Sequence, residues 1–404
     1  MNAPSPTRPP APRAEIVVDL AAVRHNVSVL RSRVAGPQMM VVVKADGYGH
    51  GMVQVARAAR DAGADWLGVA FLEEALELRR SGDTGRVLAW LAVPGEDYRE
   101  AVEAGIDLTA YTLAELEEIS AAARSTGSVA RVQLKVDTGL NRGGSSQSLW
   151  AGLVEAAAAA ERTGTVRVTG VWSHFACSDE PAHPDNDLQE LAFREALAAA
   201  DDGGLTPEVR HLCNSAAALT RPSSWFDLVR CGIAAYGLSP VPELATSAAL
   251  DLVPAMTVRV RLALVKRIPA GSGISYGHTY RTDKDTNVVV VPVGYGDGIL
   301  RHASDKASVY AAGRLRTIAG RVCMDQFVLD IDDDPAAAGD QVVLFGCGSG
   351  GEPTAQDWAA ACGTISYEIV TRIGGRMVRR YVGAATATQA TQATQATQAN
   401  RGQG

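Results

Sequence analysis

Between Val41 and about Ser239, short apolar runs alternate with Ala-rich amphipathic segments, the pattern of repeated strand-helix units that build a parallel sheet. The runs with strand character are VVVK from Val41, WLGVA from Trp66, VLAWLA from Val87, DLTAY from Asp107, RVQLKVD from Arg131, VTGVWSHF from Val168, VRHLCN from Val209 and DLVRCGI from Asp227. Between them, MVQVARAARDAG, LEEALELRRSG, LAELEEISAAARSTG, LWAGLVEAAAAAERTG and LQELAFREALAAADDGG have helical periodicity. Almost every one stops at a glycine, as a left-handed helix C-cap requires.

Eight such units closing on themselves make a TIM (β/α)8 barrel. An open doubly wound sheet would normally have fewer strands and a GxGxxG after the first, which is absent here. After Pro240 the helical period stops, and MTVRVRLALVKRI, NVVVVPVGYG, VYAAGRLRTIAGRVCMDQFVLDI and QVVLFG alternate in the strand manner. The expected organisation is a barrel over 14–248 and a C-terminal mostly-β domain over 249–382. AEIVVDL near the start reads as a strand that joins either domain, followed by a helix in LAAVRHNVSVLRSRV. The Pro-rich residues 1–13 and the Ala-Thr-Gln repeat over 383–404 lack bulky apolar anchors and read as a disordered arm and tail.

Composition narrows the function. The formal charge of −7 is spread without a basic cluster, which argues against nucleic acid as a partner. No run is apolar for long enough to span a bilayer, and the N-terminus lacks a secretory h-region, so a cytoplasmic location is expected. The six cysteines form no CxxC pair and read as buried thiols, Cys347 in FGCGSG excepted, with no zinc site implied.

Active sites of barrels form at the carboxyl ends of the strands. Lys44, Lys135 with Asp137, His174, His211 with Asn214, and Arg230 end the predicted strands and should therefore meet at one mouth. Lys44 in VVVKADGYGHG is either a strand end reaching water or a group held at a site. In a site, an amine near neutrality forms Schiff bases with aldehydes, the following glycines admit a ligand to the backbone, and Tyr48 offers a hydroxyl to an anion.

VVVKADGYGHG is similar to the cofactor-lysine motif of alanine racemases, which are pyridoxal-phosphate enzymes with a barrel and a β-domain. KVDTGLNR, HLCNSAA with VRCGIAAYG, SYGHTY with GYGDG, and RVCMDQF resemble the same family in the same order, so the likeness spans about Ala14 to Val382. The resemblance implies that Lys44 binds pyridoxal phosphate and serves as one of two bases, with Tyr276 the other on the opposite face of the substrate. It implies a homodimer whose sites are shared, Tyr276 coming from the partner's β-domain. Arg230 would face the pyridine nitrogen and leave it largely unprotonated, since a guanidinium keeps its own proton. His211 would support Arg230, and His174 would pack on the cofactor ring. Tyr48, Asn214, Ser215, Gly232, Ile233 and Tyr367 would surround the cofactor, mostly at its phosphate.

Arg142 would face the substrate carboxylate, and Lys135 matches a position that is carbamylated in some members. The Met324 amide, from the partner subunit, would bind the same carboxylate, while Asp179, Tyr295, Arg301 and Asp325 would line an entry channel. Leu140 and Gly143 stand where methionine and a larger apolar residue are frequent, and RIGGRMVRRYV has an extra glycine pair, so substrate preference is open to serine or a broader range. A non-catalytic cofactor carrier would lack the second domain. A decarboxylase would put an acid where VRCGI has Arg230. The implied activity is interconversion of L- and D-alanine, supplying D-alanine for bacterial wall peptides.

Overall fold

The computed structural model describes residues 11–384, so the Ala-Thr-Gln tail and most of the Pro-rich arm, with the disorder expected of them, lie outside the described residues. Arg13, counted with that arm, is anchored: its carbonyl accepts from Arg261 N at 2.9 Å and its guanidinium reaches Asp297 at 3.3 Å.

The chain divides into two units, Leu20–Val253 and the combination of Met1–Asp19 with Pro254–Ala384. The first strand, β1 (Ala14–Asp19), belongs to the latter. In the former, eight parallel strands follow in chain order: β2 (Gln38–Val42), β3 (Trp66–Val69), β4 (Arg86–Ala89), β5 (Asp107–Ala110), β6 (Ala130–Lys135), β7 (Val166–Trp172), β8 (Val209–His211) and β9 (Leu228–Cys231). Their spatial order is β8-β7-β6-β5-β4-β3-β2-β9. At the seam between β8 and β9, single backbone bonds replace a ladder: Asp227 N to Arg210 O at 3.0 Å and Arg230 N to Cys213 O at 3.1 Å. The result is a nearly closed TIM-type barrel.

These strands are apolar almost throughout because both faces are covered, the interior by side chains and the exterior by helices. Met40, Trp66, Leu88, Val209 and Leu228 fill one interior cluster with Trp90 against it. Gly68 is required beside them, since a Cβ there would stand 2.6 Å from Met40 Sδ. The helix Leu113–Thr126 starts on a reciprocal pair, Glu115 N to Thr112 Oγ1 at 3.2 Å and Thr112 N to the Glu115 carboxylate at 3.0 Å, and ends at left-handed Gly127.

The amino-terminal end of the barrel is closed by charge. Asp107, fully buried, accepts from Arg86 at 2.9 and 3.0 Å, from Arg131 at 3.2 Å and from the Thr169 hydroxyl. Glu208 joins Arg86, Arg131 and Arg167 beside it. With that end sealed, ligands have access at the other, where the βα loops lie.

The second unit contains β10 (Met256–Arg261), β11 (Leu264–Ile268), β12 (Gly273–Ile274), β13 (Tyr280–Arg281), β14 (Thr286–Val291), β15 (Ser308–Ala311), β16 (Arg314–Thr317), β17 (Phe327–Asp330), β18 (Gln341–Phe345) and β19 (Val378–Val382). A six-stranded sheet runs β16-β15-β18-β10-β1-β19, beside smaller sheets β11-β14-β17 and β12-β13. β1 pairs antiparallel to β10 and parallel to β19, which assigns the strand that its sequence leaves open. β10, β15 and β17 alternate buried and partly buried positions, as strands with one better-covered face do.

Cys213, Cys231 and Cys362 are buried and Cys347 is exposed, but Cys177 and Cys323 are only half-buried, which corrects their reading as core thiols. Among the described residues no helix is long and apolar enough to cross a membrane.

Candidate active site

Val43 N still bonds to Gly68 O at 2.8 Å, so Lys44 sits one residue beyond the last paired position of β2. The chain then turns left-handed over consecutive residues: Ala45 at φ 53°, Asp46 at 51°, Gly47 at 62°, Tyr48 at 53° and Gly49 at 79°. For a residue with a Cβ this costs about 1–2 kcal/mol, so Ala45, Asp46 and Tyr48, three such residues within four positions, need compensation. It comes from Ala45 N to Glu74 Oε1 at 2.7 Å, Met52 N to Asp46 Oδ1 at 2.9 Å and Gly51 N to Asp46 O at 2.7 Å. The turn carries Tyr48 into the interior, where its ring stacks on Tyr236 with centroids 4.8 Å apart. Tyr236 is itself fixed by a bond from its hydroxyl to Val42 O at 2.9 Å.

Arg230, near the end of β9 and 4% exposed, is held by neutral acceptors alone. Nη1 donates to His211 Nδ1 at 2.8 Å; Nη2 donates to Ser173 O at 2.9 Å, Leu212 O at 2.9 Å and His174 Nδ1 at 3.0 Å. Since arginine has only donors, both imidazoles must offer lone pairs here and stay neutral. Burial first, and then the Arg230 charge, keep both histidines well below their usual range. His211 therefore carries its proton on Nε2 and donates it to Gln133 Oε1 at 2.7 Å, while its ring stacks on Trp172. Burial without a carboxylate partner lowers Arg230 to about 10, still charged at neutral pH.

The other cations collect around this group. Lys135, 5% exposed at the end of β6, lies over the faces of Trp172 and Tyr111 at 4.6 and 5.1 Å, and burial, Arg230 and Arg142 lower it to about 8. Burial and then Arg142 also lower Lys44, with Glu74 opposing. His174 feels Arg230, Arg142, Lys135 and Lys44 together, so the four cations share one mouth. Arg142 is exposed in the loop after β6, not on the strand. Asp137 spends an oxygen on Gly139 N at 2.9 Å and Asn141 N at 3.1 Å, shaping that loop.

Asn214 caps the helix Ser215–Thr220, its Oδ1 accepting from Ala217 N at 3.1 Å and from Ser178 Oγ at 2.9 Å. Ser215 Oγ accepts from Gly232 N at 2.8 Å, so that amide is used within the chain and the hydroxyl proton is the one left to donate outward. Gly232 has no room for a side chain: a Cβ would stand 2.4 Å from Tyr48 Oη. Ile233 begins the turn that follows and is buried.

The β unit has its own cluster. Tyr276 is 72% exposed, on a turn set by Ser275 at φ 59° and Gly277 at φ 74°. Ser275 Oγ donates to Arg321 O at 2.6 Å, tying this turn to the segment that carries Met324, 55% exposed. Tyr295 N donates to Cys323 O at 3.1 Å and Gly296 N to Met324 O at 2.9 Å. Tyr276, Tyr295 and Met324 are thus displayed from three interlocked loops. Asp325 bonds Arg376 at 2.7 Å, and Arg376 grips buried Asp297 at 2.9 Å through two nitrogens. Tyr367 is half-buried on the helix Ser366–Arg372. Arg301 and Asp179 are exposed.

Sequence reasoning passed over Gln133, Trp172, Ser173 and Glu74. Gln133, a polar residue inside the apolar run RVQLKVD, was the signal available, and Gly170 opposite leaves space for it, since a Cβ there would lie 2.7 Å from Gln133 Cδ.

The mouth suits a phosphorylated, anionic aldehyde cofactor: clustered cations, an amine lowered by burial and a glycine-walled recess beside a phenol and a hydroxyl. Comparison with known proteins agrees. Residues 18–240 match the family described as alanine racemase, N-terminal domain, and residues 255–381 match alanine racemase, C-terminal domain. An alanine racemase of Salinispora arenicola is 57% identical over 368 residues, covering 91% of this chain and 98% of the relative. The crystal structure of alanine racemase from D-cycloserine-producing Streptomyces lavendulae superposes with a TM-score of 0.92 at 55% identity, covering 93% of this chain and 98% of that one. That of Bacillus anthracis, with bound L-Ala-P, gives 0.84 at 33% identity, with 94% and 97% covered.

Proposed function

The chain belongs to the alanine racemase family, and from that premise we propose how its own residues interconvert L- and D-alanine. The family depends on pyridoxal phosphate, which when bound supplies an electron sink that acidifies the α-proton of the attached amino acid. The observation that carries the assignment is the cationic mouth built around Arg230, whose partners are all neutral.

Lys44 would hold the cofactor's aldehyde and serve as the base on one face of the substrate; its lowered pKa supports a free amine able to accept a proton. Tyr276 of a second copy is the base on the other face. A proton leaves the α-carbon to one of these groups and another returns from the opposite one, so the configuration inverts. Arg230, fixed by His211, which is fixed in turn by Gln133, faces the pyridine nitrogen without giving up a proton. His174 belongs to the same group and flanks the ring.

Tyr48, Ser215, the Gly232–Ile233 segment and Tyr367 hold the phosphate, with Asn214 orienting Ser215. Arg142 and the Met324 amide of a second copy hold the substrate carboxylate, for which an arginine fork is well suited. Asp179, Tyr295, Arg301 and Asp325 line the approach. Lys135 is carbamylated: its neutral Nζ adds to carbon dioxide and releases a proton, which replaces a buried cation beside Arg230 and Arg142 by an anion. Exposed apolar side chains beyond the carboxyl ends of β3, β4 and β5, Phe71 at 46%, Leu91 at 44%, Val93 at 61% and Leu113 at 54%, support a homodimer in which a second copy covers the mouth. The product serves bacterial wall peptides. Purified protein with pyridoxal phosphate should convert L-alanine to D-alanine and the reverse; failure in both directions would overturn the reading.

A further inference from the structure

The loop between β7 and the helix Asp185–Asp202 holds a group that the racemase chemistry does not use. Cys177, His183 and Asp185 bring a thiol sulfur, an imidazole nitrogen and a carboxylate oxygen within 4.8 Å of one another, the one such group of three among the described residues. We propose that this is a binding site for a divalent transition metal of the zinc class.

The donor set joins a soft sulfur and a borderline imidazole nitrogen to a hard carboxylate oxygen, and the first two select zinc-class ions over magnesium or calcium. Tetrahedral zinc has bonds of about 2.0–2.3 Å, so its ligand atoms stand roughly 3.5 Å apart. His183 Nδ1 and Asp185 Oδ2 are 3.9 Å apart already, and side-chain rotation supplies the rest. Nδ1 carries the ring's lone pair, which accepts a weak bond from Asp185 N at 3.3 Å that a metal ion would replace. Three protein ligands leave a fourth position for water.

The loop is folded for this without the ion. Buried Asn186 donates to Cys177 O at 3.2 Å and Glu180 O at 3.0 Å, and His183 N closes on Glu180 O at 2.9 Å. The field also suits a cation: Asp185, Glu180 and Asp179 all bear on the Cys177 thiol. Asp185 in the first helical turn offsets the helix dipole, which amounts to about half a positive charge, while Asp187 is paired with Arg221. On binding, the thiol proton passes to solvent and the thiolate takes the metal. Ser178 on this loop bonds Asn214, so the ion would brace a segment continuous with the cofactor's phosphate end.

The test uses the full-chain holoenzyme, stripped by a chelator, desalted and titrated with Co2+ and then Zn2+. The expected result is one equivalent per chain with a thiolate-to-cobalt charge-transfer band that Zn2+ abolishes. The band persists in Cys347→Ser, which removes the exposed thiol, and disappears in Cys177→Ser. His183→Ala should weaken binding at least about ten-fold, since loss of even an outer-shell partner costs roughly 10–100-fold. Should Cys177→Ser not fold, protection of Cys177 from alkylation by Zn2+ decides instead. No thiolate band, an undiminished band in Cys177→Ser, or an unprotected Cys177 would overturn the assignment.

Discussion

Gly232→Ala probes the phosphate end of the site through one added methyl group. That carbon would stand 2.4 Å from Tyr48 Oη and 3.1 Å from its Cζ. The phenol has little room to retreat, because it stacks on Tyr236 at 4.8 Å and 29°, and Tyr236 is tied to Val42 O at 2.9 Å. Overpacking of this kind costs about 1–3 kcal/mol. Displacing Tyr48 would also lose the bond proposed for it to the cofactor phosphate, a charge-assisted interaction of about 1.5–3 kcal/mol. Cofactor affinity should therefore fall about 10- to 150-fold, read by titrating apoprotein with pyridoxal phosphate, with thermal unfolding followed in parallel. Tyr48→Phe removes the hydroxyl that the methyl would strike. The double variant should then cost less than the sum of the singles, with a coupling of about 1 kcal/mol or more. Unchanged cofactor affinity and melting temperature in Gly232→Ala, or strict additivity, would refute the reasoning.

Tyr276→Phe, at a side chain 72% exposed, should change stability by no more than about 0.5 kcal/mol while turnover collapses and cofactor absorbance persists; loss of that absorbance would reassign the tyrosine. Asp107→Ala leaves Arg86 and Arg131 facing a vacated buried position, so urea unfolding should report a loss of about 3–5 kcal/mol, with the rate per folded molecule unaltered. Lys135 falls from 10.5 to about 8 in the folded chain. Between those values the unfolded chain binds more protons, so stability should rise with pH across that window, by on the order of 3 kcal/mol in carbon-dioxide-free buffer. Lys135→Met should flatten the rise; parallel pH profiles of the two proteins would contradict it.

The eight barrel strands were legible because each is a short apolar run between helices that end at glycine, and because their terminal polar residues have no other reason to cluster. Lys44, Arg230 and His211 could be placed at one mouth on that basis. The left-handed run from Ala45 to Gly49 could not, since alanine, aspartate and tyrosine rarely adopt it and Glu74 and Asp46 hold it through bonds set by the fold. Gln133 and Trp172 were missed because an interior polar residue and a strand tryptophan announce no partner; theirs is His211, 78 and 39 positions away along the chain by number. β1 alternates as either domain would allow, and only its pairing with β10 and β19 assigns it.

The central claim is that Lys44 and Tyr276 exchange the α-proton on opposite faces of one substrate. The measurement that tests it most directly is the holoenzyme with L-alanine in heavy water, following deuterium at the α-carbon and the appearance of D-alanine together. Newly formed D-alanine should carry deuterium at the α-carbon from the earliest turnovers, and Lys44→Ala and Tyr276→Phe proteins, each inactive, should regain activity when their subunits exchange. Exchange of the α-proton without inversion, or D-alanine that keeps the original proton from the first turnovers onward, would contradict it.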